Sequence, residues 1–179
     1  MTAPAVTLSG APVLTTGRLV LRAPVLADFE GFAAYQASER SRFTGGPLTR
    51  EMAWRSFGHL VGHWVLRGFG PFAVEVGGKA VGAVGPFHPE GWPEPEIAWT
   101  MWAPEAEGKG YAFEAAQAAR DFVYGPLGWS TAISMIDPGN ARSVALARRM
   151  GCTPDGTFTH ERFGLCHIWR HPAPQEIAA

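Results

Sequence analysis

The sequence predicts a single mixed α/β domain, on three observations. Stretches with strand-like alternation are interleaved with stretches of helical 3.6-residue period. Two β-rich runs flank Gly77-Gly78, a pair suited to a two-residue hairpin turn. No segment repeats, and at 179 residues with 46% hydrophobic content the chain suits one domain with its own core. Gly and Pro together make about a fifth of the residues, below the level of a low-complexity chain, so disorder and collagen-like repeats are excluded.

Element by element, Arg18–Arg22 reads as a short strand ending before Pro24. Asp28 opens a helix to about Gln36, and Gly45-Gly46-Pro47 breaks the chain. Thr49 caps a helix running to Arg67, with Glu51 in its first turn and Gly68 beyond its end. Pro71–Val76 and Lys79–Phe87 form the hairpin. A Pro/Gly-rich loop, Pro86 to Pro95, leads into a strand from Glu96 to Trp102. On that strand Ile97, Trp99 and Met101 share one face; Glu96, Ala98, Thr100 and Trp102 share the other. A helix follows from Gly108 to Tyr124, with Ala112, Ala115, Ala116, Ala119, Phe122 and Val123 on one face. Thr131–Ile136 is a strand, Asn140–Met150 a helix with Gly151 just past its end, and Thr157–His160 with Leu165–Arg170 a terminal strand pair. Residues 1–14 and 172–179 read as flexible ends around a domain spanning 15–171.

The composition also limits function. Fifteen basic and sixteen acidic residues, with no clustered basic face, argue against nucleic acid. No apolar run is long enough to cross a membrane, and the first residues lack the basic and apolar regions of a signal peptide. Cys152 and Cys166 are too few for a disulfide framework and read as reduced thiols, so a cytoplasmic protein is expected. His59 and His63 are four apart on a helix, but Leu60 stands where a zinc-protease pattern needs Glu, and no metal is expected. A homodimer is left open.

Chemistry concentrates after the Glu96–Trp102 strand, in Trp102-Ala-Pro-Glu-Ala-Glu-Gly-Lys-Gly-Tyr-Ala-Phe-Glu114. A strand opens through a glycine-bearing turn onto a helix, whose free N–H groups and dipole favour a phosphate. Gly108 and Gly110 allow close approach, Lys109 adds a cation, and Ala112 keeps the first turn clear. Neither a Walker A sequence nor a dinucleotide-binding Gly-x-Gly-x-x-Gly occurs. A plain tight turn is the alternative.

Glu107-Gly-Lys-Gly-Tyr-Ala112 resembles the acyl-CoA loop of GNAT N-acetyltransferases, Gln/Arg-x-x-Gly-x-Gly/Ala. Gly110 and Ala112 match, and Glu107 departs from the first position. Asp137-Pro-Gly-Asn-Ala-Arg-Ser-Val-Ala-Leu-Ala-Arg-Arg-Met-Gly151 is similar to the Asn-x-x-Ser helix of the branch that acetylates ribosomal-protein N-termini, and Thr16–Arg22 resembles that branch's first strand. The resemblance implies a central, mostly antiparallel twisted sheet, splayed at the cofactor site and flanked by about four helices. It also implies acetyl transfer from acetyl-CoA to an amine acceptor, either a protein or peptide N-terminus or a small molecule. The rival from another class is a non-catalytic acyl-CoA-binding or regulatory module.

An alkyl ammonium must lose a proton before it attacks, so the reaction needs a base. Glu96, on the strand before the loop, is the candidate, with Glu94 in reserve and a surface carboxylate as the plain alternative. Many family members carry a Tyr acid four residues before the Gly that ends the Asn-bearing helix. Ala147 stands there, so the resemblance passes the acid role to Ser143, otherwise a first-turn polar residue. By the same resemblance, main-chain groups of Met101, Trp102 and Ala103 would pair with the pantetheine arm, Glu107, Gly108, Lys109, Gly110, Tyr111 and Ala112 would hold the pyrophosphate, and Asn140, also a natural N-cap, would bond the arm. Trp92 and His88 are the candidate acceptor contacts. Arg142, Arg148 and Arg149 read as a solvated face. Trp54 and Trp64 point some 80° apart on their helix, so a narrow buried stripe cannot hold both.

Overall fold

The computed structural model describes residues 8–177. The strands are β1 (Leu14–Thr15), β2 (Val20–Arg22), β3 (Phe72–Val76), β4 (Lys79–Phe87), β5 (Glu96–Met101), β6 (Ile133–Ile136), β7 (Thr153–His160) and β8 (Gly164–Arg170). The helices are α1 (Phe29–Gln36), α2 (Arg50–Arg67), α3 (Tyr111–Tyr124), α4 (Ala141–Arg149) and the short α5 (Pro174–Ile177). One sheet runs β1-β2-β3-β4-β5-β6-β8-β7. Every neighbouring pair is antiparallel except β5 and β6, which are parallel and joined through α3, as a crossover connection requires. The β5–β6 ladder holds a single registered pair, Glu96 with Ile133. Beyond it the two strands part and leave a gap.

The hairpin forms as expected, with Gly77 at φ +56° and Gly78 at +83°, the left-handed pair of a type I′ turn. Thr49 caps α2 by accepting the Met52 N–H. α3 begins at Tyr111 rather than Gly108, because Gly108 and Gly110 both hold positive φ, which a right-handed helix does not admit. β7 begins at Thr153, ahead of the expected start. An irregularity between Pro154 and Thr157 accommodates the Pro and Gly156 that made the sequence read as a loop. Part of each expected loose end makes contacts. Leu8, Ala11 and Leu14 pack on the core, Leu14 pairs with Leu21, and the Tyr124 hydroxyl donates to the Pro172 carbonyl. Residues 1–7 and 178–179 lie outside the described residues.

Neighbouring residues on β4 show how the sheet is covered. Val84 joins Phe72, Val74, Ile97 and the α3 alanines Ala115, Ala116 and Ala119 in the larger core cluster. Ala83 faces the other way, toward Phe29, Phe32, Phe57 and Trp102, beneath α1 and α2. Small side chains on α3 let it lie close over β4 and β5, which holds its N-terminus beside the gap. Trp64 is buried and donates to the Pro71 carbonyl, whereas Trp54 is 53% exposed, as the angle between them requires. On β5, Ile97 is buried, whereas Trp99 and Met101 on the same face are half buried. No described helix is long and apolar enough to cross a membrane.

Candidate active site

Where β5 and β6 part, a cavity of about 520 Å³ opens. Glu96, Trp99 and Thr100 of β5 line it, with Ser134 of β6 and with Asn140 and Ser143 at the start of α4. Glu96 is 6% exposed, and its Oε2 accepts the Met135 N–H at 3.0 Å. Burial pushes its carboxyl up to about 7, against the opposing pull of the Met135 N–H and the nearby Trp92 indole. Trp92 Nε1 is itself buried and forms no well-aligned hydrogen bond. A carboxyl poised near neutrality at the wall of a cavity has the properties of a general base.

Glu94, the reserve candidate, is engaged elsewhere. Its two oxygens accept from Arg170 at 2.6 and 2.7 Å, and this guanidinium holds the carboxyl below its usual range. It does not line the cavity.

Asn140 does cap α4: its Oδ1 accepts the Ser143 N–H at 3.2 Å, leaving its amide N–H groups free of this bond. Ser143 Oγ accepts from Trp99 Nε1 at 3.1 Å. That bond occupies a lone pair and leaves the hydroxyl proton available to a further acceptor in the cavity. Trp99 is half buried because one side of it faces the cavity.

The strand end is more restricted than expected. The N–H groups of Trp102 and Ala103 both donate to the Val81 carbonyl, so neither is open to a pantetheine amide. Alternation along β5 turns the main-chain groups of Met101 the other way, toward the gap. Arg40 then caps the strand, donating to the Met101 carbonyl at 3.0 Å and the Trp102 carbonyl at 2.6 Å. The Trp102 side chain packs against Phe32 in the smaller core cluster, at a ring separation of 5.4 Å.

At the loop, no side chain caps Gly110, and the first turn of α3 presents its N–H groups unclaimed by a cap. A Cβ on Gly108 would meet open space, and one on Gly110 would lie 3.5 Å from the Arg18 guanidinium. The backbone is accessible there, and the residues fit an anion. Lys109 is exposed; Tyr111 and Ala112 are half buried. Glu107 is engaged by protein cations. It is held between Arg40 and Arg142. Burial pulls its carboxyl upward, but the hydrogen bonds from these two cations outweigh that and keep it below the usual range.

Of the two proposed acceptor contacts, Trp92 lines the cavity and His88 does not. The His88 main-chain N–H donates to His63 Nε2, while His63 Nδ1 bonds the Phe69 carbonyl at 2.7 Å. With Nε2 an acceptor and burial lowering its pKa, His63 is a neutral structural side chain. Among the described residues no cluster of His, Cys, Asp or Glu could hold a metal.

The acetyltransferase (GNAT) domain family matches residues 18–153. This chain belongs to the GNAT family. An acetyltransferase structure from Agrobacterium tumefaciens str. C58 is 32% identical, covers 95% of this chain and 99% of its own, and superposes with a TM-score of 0.83. A GNAT-family acetyltransferase from Bordetella pertussis is 27% identical over 90% of this chain and 99% of its own, with a TM-score of 0.74. An aminoglycoside acetyltransferase solved with coenzyme A shares the fold at 15% identity and a TM-score of 0.75, covering 89% of this chain and 97% of its own. Ribosomal-protein acetyltransferases share it at 18% identity or less.

Two basic residues of this GNAT enzyme escaped sequence reading. Arg40 lies more than sixty residues from the carbonyls it caps. Arg18 bonds Glu114 and the Lys109 carbonyl and lies 4.8 Å from the Tyr111 ring centroid, tying the start of the chain to the loop. No local pattern marks either, because their partners are adjacent only after the sheet has formed.

Proposed function

We propose that this GNAT enzyme moves the acetyl group of acetyl-CoA to a primary amine by direct attack on the thioester. The carrying observation is that Glu96 and Ser143 line one cavity at the parting of β5 and β6. The uncapped first turn of α3, opened by Gly108 and Gly110, supports binding of the pyrophosphate through main-chain N–H groups. Met101 and Asn140 are the groups best placed to meet the pantetheine arm.

In this reading Glu96 takes the proton of the amine, directly or through one water. The amine nitrogen forms a bond to the carbonyl carbon, the C–S bond breaks, and the sulfur leaves as thiolate. The Ser143 hydroxyl, its lone pair already engaged by Trp99, donates a hydrogen bond to that sulfur. A serine hydroxyl is a poor acid in water, so solvent completes the protonation of CoA. The Asn-x-x-Ser pattern and the first-strand resemblance favour the ribosomal-protein branch for the helix chemistry.

Release of CoA thiol with acetyl-CoA and a panel of amines and peptides tests this. Acceptor-dependent release supports it. Acetyl-CoA binding without turnover on any acceptor would favour the binding module.

A further inference from the structure

The cavity's walls carry information on the acceptor. Trp92 sits at the centre of an aromatic cluster, with ring centroids 5.7 Å from Phe87, 5.0 Å from His160 and 5.8 Å from Phe163, each ring tilted steeply to it. All four line the cavity. The α1–α2 connection and the β7–β8 turn touch across it. A Cβ on Gly45 would lie 2.7 Å from the Phe163 ring, and one on Gly139 would lie 3.4 Å from Phe43. These contacts narrow that side of the cleft, which favours a compact acceptor over an extended peptide.

Its volume of about 520 Å³ falls in the small-molecule range of roughly 300–1,000 Å³, and the thioester end must share it. Charge is no better suited to a polycation. Of the lining carboxylates Glu90, Glu96 and Asp137, only Glu96 is buried; Asp137 is half-buried, and Glu90 is fully exposed beside Arg67. Arg162 stands on the same walls, as does Arg55, which is paired with Glu51. Two buried polar atoms on lining residues have no protein partner, Gln36 Oε1 and Trp102 Nε1. Buried donors and acceptors left unpaired are costly, so an occupant with a hydrogen-bonding group would relieve them.

We propose that the acceptor is a small primary amine on a flat, mostly apolar body bearing one hydroxyl or amide, recognised by Trp92, His160 and Phe163. This rests on the N-acetyltransferase reading above. Tyramine has these features and serves as the probe, against spermidine and a tetrapeptide with a free Ser N-terminus. With acetyl-CoA, kcat/KM for tyramine is expected to exceed both by at least about tenfold. Phe163→Ala, and the milder Phe163→Leu, should raise KM for tyramine about three- to tenfold while leaving KM for acetyl-CoA unchanged. Higher kcat/KM for spermidine or the peptide overturns this proposal and leaves acetyl transfer standing. No thiol release with any of the three, despite measurable acetyl-CoA binding, overturns both.

Discussion

Glu96→Gln separates the catalytic and structural consequences of burying one carboxyl. Glutamine keeps an oxygen that can accept the Met135 N–H, so the fold should tolerate it, but it cannot take a proton from the amine. Turnover at pH 7–8 is expected to fall about 10²–10⁴-fold, with little change in acetyl-CoA affinity. Stability should move the other way. Burial raises the carboxyl from 4.5 to about 7 in the native state, a difference of ~3 kcal/mol at ~1.4 kcal/mol per unit. Between those values the native protein keeps a proton that the unfolded chain has lost, so wild-type stability falls as pH rises. Below pH 4.5 both states are protonated and the effect vanishes; above 7 its full cost persists. Urea denaturation from pH 4 to 8 should therefore show the variant gaining on wild type by up to ~3 kcal/mol, most of it between pH 4.5 and 7. Wild-type kcat/KM should rise with pH through a midpoint of about 7. A variant that retains wild-type turnover, together with a stability difference independent of pH, would refute the base assignment and the burial argument alike.

Glu94→Gln should leave kcat close to wild type, since that carboxylate is engaged by Arg170; a loss comparable to that of Glu96→Gln would move the base to Glu94. Gly110→Ala forces a side chain into φ +79° beside Arg18, which should cost about 1 kcal/mol of stability and raise the Kd for acetyl-CoA in a calorimetric titration; unchanged affinity in the folded variant would remove the loop from the binding site. Arg40→Ala frees the Met101 and Trp102 carbonyls and leaves Glu107 to Arg142. It should lower stability by about 1–3 kcal/mol in denaturant and raise KM for acetyl-CoA, and wild-type values for both would show that the strand end needs no clamp.

Much of the framework was legible in the chain because it rests on short-range chemistry. Gly77-Gly78, the Thr49 cap, the alanine face of α3 and the turn glycines Gly108 and Gly110 each act through neighbours within a few residues. Local patterns therefore identified the hairpin, two helices and the loop, and the resemblance of Glu107–Ala112 and Asn140–Ser143 to GNAT sequences pointed to the family. Glu96 was also nameable from its place on the strand before the loop. What that carboxyl experiences was not: its burial depends on β6, α4 and the Trp92 loop closing around it. The same holds for Glu94, which differs from Glu96 in sequence by two positions but meets Arg170 from β8. Arg40 on Met101 and Trp102, Trp99 on Ser143 and Gly45 against Phe163 likewise join segments far apart in the chain. The local sequence determined where strands, turns and the uncapped start of α3 would form. Only the tertiary structure decided which carboxyl is buried without an ion partner and which side chains wall the cavity, because desolvation and charge pairing are set by neighbours in space.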